Sequence, residues 1–183
     1  MLRCLVLAIL TSHVTQQNKN ISSSKENFDA PSPRLTGFSL QATPAWIVLD
    51  DDLTTYEPVI ARTINEWNTK VGFALFAYGG ILDVDDVKLP MPFIGVVQID
   101  LGTNCGHTNL LIDSTGKYVT RAKVELNFAC FDAFYQIALH ELGHIAGLDD
   151  IKDLDYDGIM FYRIRLSAIS KKEIGLIRQL YVH

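Results

Sequence analysis

The side chains best suited to bind a metal ion lie in one stretch of this chain, HELGHIAGLDD. His140 and His144 are four residues apart, so on a helix they lie on one face and can share one ion. Gly147 allows the helix to end, and Asp150 follows it as a candidate third ligand. Glu141 lies beside the first ligand, where it can take a proton from a metal-bound water. The spacing therefore predicts metal-assisted hydrolysis.

Zinc is the metal that this donor set predicts. A catalytic zinc ion is held by three protein ligands from nitrogen, oxygen or sulfur, and its fourth position is left to water. The other histidines, His13, His107 and His183, are scattered along the chain, so a single zinc ion is expected. The alternative is a helix whose histidines only pack or cap, but the helical periodicity around them favours the metal site.

In this stretch the sequence is similar to the metzincin zinc metalloproteases. Their signature is HExxHxxGxxH followed by a turn that contains methionine. Residues 158–160, Gly-Ile-Met, resemble that turn. The resemblance covers residues 42–183, and its specific motifs are confined to 140–162.

The resemblance implies a secreted zinc metalloendopeptidase that acts on protein or peptide substrates, with the chain expected to be a monomer. His140, His144 and Asp150 would bind the zinc ion. Glu141 would act as general base and then as general acid. Met160 would support the site from below without binding the metal, and the glycine before the third ligand would turn the chain.

The third ligand departs from the usual family pattern. Most metzincins carry a histidine where this chain has Asp150, and the snapalysin-like enzymes are a minority that use aspartate. Because a carboxylate cancels one unit of charge, the metal is expected to be a weaker Lewis acid. Asp149 and Asp153 are alternative ligands, and the spacing of the motif favours Asp150.

Tyr162 follows Met160 by two residues, as in astacins and serralysins, where this tyrosine can reach the metal or the transition-state oxyanion. An aromatic wall or core residue is the alternative. Matrixins block their metal with a cysteine of the pro-segment. No cysteine lies between Cys4 and Cys105, so that form of latency is not expected here.

Two other functions remain open from the sequence: a non-catalytic binding module stabilised by zinc, and a zinc hydrolase that acts on a non-peptide substrate. An intact Glu141 favours catalysis, because an idle site has no need of that acid. Residues 153–158 also resemble the front of a calcium loop. The twelfth position would be Ile164 in place of the required glutamate, so a solvated acidic loop is favoured over a Ca²⁺ site.

Composition restricts the class of protein. The formal net charge of −5 argues against nucleic-acid binding. No apolar run approaches the roughly 18–20 residues that span a bilayer. Arg3 and the apolar run Cys4–Leu10 resemble a signal peptide, with a hydrophobic strand as the alternative. The expected organisation is a signal peptide at 1–12, a disordered linker or short pro-segment at 13–41 and a catalytic domain at 42–183.

The cysteines and the apolar patterns predict the framework. Export would leave Cys105 and Cys130 as a disulfide pair, with two buried thiols as the alternative. The patterns predict a strand at 46–49, a helix at 55–71, strands at 73–77 and 93–101, linked strands at 110–112 and 118–126, a helix from Asp132 to Ala146 and a last helix from Ser170.

Two Thr/Ser-x-x-Glu patterns, Thr54 with Glu57 and Ser170 with Glu173, predict capping boxes at helix starts. The half-buried strand at 118–126 is a candidate edge for an extended substrate. The fold class is α/β or α+β, of metzincin type by resemblance. One mixed, mostly parallel sheet would carry a long N-terminal helix, an active-site helix, a Met-turn and a C-terminal helix.

Overall fold

The computed structural model describes residues 33–82, 92–162 and 167–182. In chain order the strands and α-helices are β1 (Ser39–Leu40), β2 (Ala45–Leu49), α1 (Glu57–Val71), β3 (Phe76–Ile81), β4 (Phe93–Gln98), β5 (Gly106–Ile112), β6 (Tyr118–Leu126), α2 (Phe134–Ile145) and α3 (Lys171–Tyr181). Short 3-10 helices, Asp51–Tyr56 and Phe128–Ala133, precede α1 and α2.

The six strands form one mixed sheet in which β5, β6, β4, β2 and β3 are successive neighbours, and the short β1 pairs with the start of β6 on the same side as β4. All pairs are parallel except β5 with β6, which is antiparallel. The predicted mixed, mostly parallel sheet with helices packed on it is therefore confirmed. None of the helices in the described ranges combines the length and the apolar character needed to span a bilayer.

The first helix lies against the core through one apolar face. Ile60, Ile64, Trp67 and Val71 recur at intervals of three and four residues, and all four are buried. Burying a side chain of this kind contributes roughly 1.5–3 kcal/mol. Gly72 adopts a left-handed conformation (φ 85°) and ends the helix at the predicted residue 71.

The capping box predicted at Thr54 and Glu57 is wrong. Thr54 lies inside a 3-10 helix, where its hydroxyl donates to the carbonyl of Asp51 (2.6 Å), so it does not cap α1. The N-cap of α1 is Tyr56, whose side chain does not form the capping hydrogen bond. The box at the start of α3 is confirmed in both of its hydrogen bonds.

Three element starts also differ from the prediction. The strand predicted at 110–112 begins at Gly106. The strand predicted at 73–77 begins at Phe76, because the side chain of Asn68 accepts the N–H groups of Leu75 and Phe76 and keeps the preceding residues in a turn. The helix that carries the two histidines begins at Phe134, two residues after Asp132. Residues 128–133 form a 3-10 helix, whose backbone is kinked at Cys130 (φ −112°, ψ 27°).

The prediction that residues 118–126 form a sheet edge is wrong. β6 pairs with β5 on one side and with β4 and β1 on the other. β5 is the edge strand at this end of the sheet, because no described strand pairs with its other side. This strand with an unpaired side contacts α2 through Thr108 and Glu141.

The folded region extends N-terminal to the predicted boundary at 42. Leu35 forms an antiparallel bridge with Leu148, and β1 pairs with β6. Phe38 and Leu40 bury their side chains in the core, so residues 33–41 are not a free linker. The predicted signal peptide and the rest of the predicted linker lie outside the described residues.

The predicted pair Cys105 and Cys130 forms a disulfide with a Cα–Cα distance of 5.5 Å. Cys105 is fully buried directly before β5, and Cys130 lies in the 3-10 helix before α2. The disulfide therefore ties the edge strand to the segment that leads into α2.

Replacing both cysteines with alanine should lower the free energy of unfolding by about 3 kcal/mol, because the open chain regains the entropy of a loop of about 25 residues. Urea denaturation followed by circular dichroism measures this difference. Reductant should bring the wild-type protein to the value of the variant and leave the variant unchanged. Equal midpoints under oxidising conditions would contradict the prediction.

Candidate metal centre

Helix α2 brings the two histidines together as the sequence predicts. His140 and His144 are both buried, and their rings are 4.7 Å apart and perpendicular. The indole N–H of Trp67 in α1 donates to the carbonyl of Leu139 (3.1 Å), which fixes this helix against its neighbour. Both imidazoles therefore project from a helix held on both sides by the core.

The end of α2 turns the chain back toward the histidines. Gly147 is left-handed (φ 99°), as its predicted role requires. Its N–H donates to the carbonyl of His144, and the N–H of Leu148 donates to that of Gly143, both at 3.0 Å. These two bonds form a Schellman motif, which closes the helix within one residue. The chain then carries Asp150 back over the imidazoles.

Three ligand atoms converge at this point. Nε2 of His140 lies 3.1 Å from Nε2 of His144 and 3.2 Å from Oδ1 of Asp150. The remaining distance, from His144 Nε2 to Asp150 Oδ1, is 3.6 Å. Ligands at about 2.0–2.1 Å from a tetrahedral zinc ion would be separated by about 3.3–3.4 Å. The three atoms therefore have the spacing of one face of a zinc coordination tetrahedron.

The hydrogen bonds on the far side of each ring fit the same ion. Nδ1 of His140 lies 2.8 Å from the carbonyl oxygen of Ile159, and Nδ1 of His144 lies 3.0 Å from that of Leu148. A carbonyl oxygen only accepts, so each Nδ1 carries a proton and each neutral ring presents a lone pair at Nε2. Two lone pairs and the carboxylate of Asp150 then face one another, and a cation between them removes their repulsion.

A proton takes the place of that cation in the metal-free protein. Burial disfavours the charged form of His140, but Asp150, Glu141 and the carbonyl of Ile159 outweigh it and raise its pKa to about 9. Burial and the neighbouring His140 lower the pKa of His144 to about 4. The pair therefore holds a single proton near neutral pH.

Glu141 is fully buried next to the three ligands. The hydroxyl of Thr108 donates to its Oε2 (2.5 Å), while its Oε1 has no hydrogen-bond partner among the described residues. Burial raises the pKa of this carboxyl, and the nearby His140 and Thr108 offset the effect only in part. A carboxylate with a raised pKa binds a proton more strongly than an exposed one.

Met160 lies beneath the histidines, fully buried. A Cβ atom on Gly143 would collide with its sulfur, so the glycine in the middle of the motif makes room for the Met-turn. The carbonyl of Met160 accepts the N–H of Ile151 (2.9 Å), and the N–H of Tyr162 donates to the carbonyl of Ile151 (3.1 Å). The turn is thereby fixed to the residue that follows Asp150. The sequence predicted the turn but not the need for Gly143.

Tyr162 is half-buried, and its ring packs against that of Phe161 at 5.0 Å. Its backbone bond to Ile151 supports the turn, so it has a structural contribution whatever its hydroxyl does. A catalytic role for this hydroxyl stays a prediction.

Glu173 contributes to the site in a way that the sequence did not indicate. Its carboxylate is fully buried and accepts the N–H groups of Met160 (2.8 Å) and Ile159 (3.4 Å) besides closing the capping box of α3. The carbonyl of Ile159 is the group bonded to His140. The C-terminal helix therefore fixes the turn that orients the first ligand.

The other acidic residues of the loop do not join the cluster. Asp149 is exposed, and its side chain accepts the N–H of Asp150 (2.8 Å). Asp153, Asp155 and Asp157, the front of the calcium-like loop, are exposed as well, and position 164 lies outside the described residues. Within the described ranges, His140, His144 and Asp150 form the only group of His, Cys, Asp or Glu that could hold an ion.

No model of a known protein family matches this chain, and no curated protein matches it. Its function is therefore inferred from the chemistry of this centre and from the motif that carries it.

Replacing Asp150 with alanine should weaken zinc binding by roughly 100-fold or more, since changes to groups that only contact a ligand already cost 10–100-fold. Asp149→Ala removes a neighbouring carboxylate outside the cluster and is the matched control. Zinc content after dialysis against a weak chelator measures the difference. Loss of zinc from Asp149→Ala and retention by Asp150→Ala would reverse the assignment.

Zinc binding should release about one proton from the histidine pair, because the metal needs both Nε2 atoms deprotonated. The raised pKa of His140, about 9, keeps that proton bound below this pH, so affinity is lost as pH falls. We expect the apparent affinity to rise about tenfold per pH unit between about pH 5 and pH 7.

Calorimetry near pH 6 in buffers of different ionisation enthalpy counts the released protons. This pH is chosen because water on a catalytic zinc ion has a pKa of about 7 and releases few protons below it. An affinity that does not change over this range would show that the metal-free pair is unprotonated.

Proposed function

We propose that the protein is a secreted, zinc-dependent metalloendopeptidase of metzincin type. The observation that carries the proposal is the convergence of two imidazole nitrogens and one carboxylate oxygen beside a buried glutamate. His140, His144 and Asp150 would hold the zinc ion, and Met160 would support them from below. The sheet with one antiparallel edge strand and the disulfide, which is typical of exported proteins, support the same proposal.

Glu141 performs the proton transfers in this proposal. When bound, zinc would supply Lewis acidity, lowering the pKa of water and polarising the scissile carbonyl. The Oε1 atom of Glu141, which accepts no hydrogen bond from the described residues, takes a proton from the attacking water. It then gives that proton to the leaving amine as the C–N bond breaks. Burial raises the pKa of Glu141 and thereby makes it a stronger base.

The free edge of β5 favours a peptide as the substrate. The N–H of Asn127 donates to the carbonyl of Cys105, so the backbone of Cys105 faces β6. Because this direction alternates along a strand, the backbone groups of Gly106, Thr108 and Leu110 face the unpaired side. An extended peptide can add there as a further strand. Gly106 and Thr108 also adjoin Glu141, which would place the peptide beside the base.

A non-catalytic, zinc-stabilised binding module is the second candidate, because burial of the two histidines would also suit a structural ion. Glu141 counts against it. A fully buried carboxylate with one oxygen unpaired among the described residues lowers stability, and a structural site has no use for it. A third candidate is a zinc hydrolase with a non-peptide substrate, which would bind zinc but would not cleave casein.

Glu141→Gln should lower casein cleavage roughly 10²–10⁴-fold, since the amide cannot accept the proton. Its zinc content should equal that of the wild type. Glu125→Gln, the same change on the neighbouring strand β6, is the matched control and should keep full activity. The assay is made with and without residues 1–32.

Zinc-loaded wild type that cleaves no peptide in either form would support the binding module or a non-peptide substrate. Equal cleavage by wild type and Glu141→Gln would show that the proton passes through another group.

A further inference from the structure

Two residues of the edge strand contact the carboxylate of Glu141 directly. Gly106 and Thr108 are two positions apart in β5, so they lie on the same face of the strand, toward α2. The main-chain groups of the same residues point to the unpaired side of the sheet. The same two residues would therefore contact the catalytic base through one face of the strand and bind the peptide backbone through its unpaired edge.

Thr108 fixes one oxygen of the carboxylate. Its side chain is buried, and its hydroxyl lies 2.5 Å from Oε2 of Glu141 and 3.4 Å from the carbonyl oxygen of the same residue. A hydroxyl has a single proton to donate, and the carboxylate oxygen is both nearer and the stronger acceptor. Oε2 is therefore held, and Oε1 is the oxygen that remains for proton transfer.

Gly106 leaves the space that the second oxygen occupies. A Cβ atom there would collide with Oε1 of Glu141 and would lie 2.8 Å from the side chain of Ile137. The requirement is one of space, because Gly106 is not among the glycines with positive φ. Any larger residue at this position would displace the carboxylate of Glu141 from its contact with β5.

We propose that Gly106 and Thr108 form a seat for Glu141 that fixes which carboxylate oxygen receives the proton and aligns it with the bound peptide. Thr108 is a positioning residue that acts through Glu141. Its effect on catalysis rests on the proposed endopeptidase function. The orientation of the carboxylate does not depend on that function.

The test compares Thr108→Val, which removes the hydroxyl and keeps the shape, with Thr108→Ser, which keeps the hydroxyl. We expect valine to lower kcat roughly 10- to 100-fold, the scale of a misplacement of about 1 Å, with KM changed less than about twofold. Serine should restore most of kcat. Thr63→Val is the matched control, because Thr63 is a buried threonine of α1 whose hydroxyl donates to the carbonyl of Val59 (2.9 Å), its one side-chain partner among the described residues.

A second readout needs no activity. Crystal structures of the metal-free proteins should show the carboxylate of Glu141 in one orientation in wild type and Thr108→Ser. In Thr108→Val it should be rotated or divided between orientations. If Thr108→Val does not fold, Gly106→Ala makes the same test by displacing Oε1 while leaving the hydroxyl in place.

Any of four results would contradict the proposal that Gly106 and Thr108 position Glu141. These are Thr108→Ser as inactive as Thr108→Val, an effect confined to KM, an unmoved carboxylate in Thr108→Val, or full kcat in Gly106→Ala. Wild type without peptidase activity would instead refute the proposed function, and the crystal structures would still decide the orientation of Glu141.

Discussion

Three electron-rich atoms must be held within a few ångströms of one another in the interior of this protein. The two Nε2 atoms are 3.1 Å apart, and each lies within 3.6 Å of Oδ1 of Asp150. Backbone carbonyls accept hydrogen bonds from both Nδ1 atoms, so each neutral ring has its lone pair on Nε2. The two lone pairs therefore face each other. A cation, or in its absence a proton on His140, is the condition under which this arrangement is stable.

Backbone hydrogen bonds from several parts of the chain hold these atoms in place. Gly147 closes α2, and the N-terminal segment pairs with the residues that follow it, since the N–H of Asp149 donates to the carbonyl of Arg34 (2.9 Å). The Met-turn bonds the residue after Asp150, and Glu173 fixes that turn from α3. Rigid positioning by the main chain is what a metal site needs, because ligands fixed before binding lose little entropy on binding.

Local patterns predicted those features that local interactions determine. The extent of α1 and the capping box of Ser170 and Glu173 both follow from contacts within a few residues. The predictions failed where a competing local bond decides the structure, as with Thr54 in its 3-10 helix and the side chain of Asn68 before β3. The helical motif likewise placed His140 and His144 correctly, because one helix carries both.

The remainder of the site depends on sheet order, for which the sequence has no local signal. Thr108 meets Glu141 across 33 residues, and only because β5 reverses beside β6 to become the edge strand. Gly106 is indistinguishable in the sequence from a turn glycine. Glu173 was predicted correctly as a cap, but its reach to the Met-turn requires α3 to pack beneath the site.

Asp150 and Glu141 together determine the charge balance of the buried centre. With a zinc ion bound and both carboxylates ionised, the formal charges of the proposed site sum to zero. A third histidine in place of Asp150 would leave a net positive charge in the interior, where isolated charge is costly. Aspartate therefore lowers the cost of burying the ion and also its Lewis acidity. Burial of Glu141 acts in the opposite direction. Its raised pKa makes it a stronger base, which would compensate for the weaker activation of water by a less acidic metal.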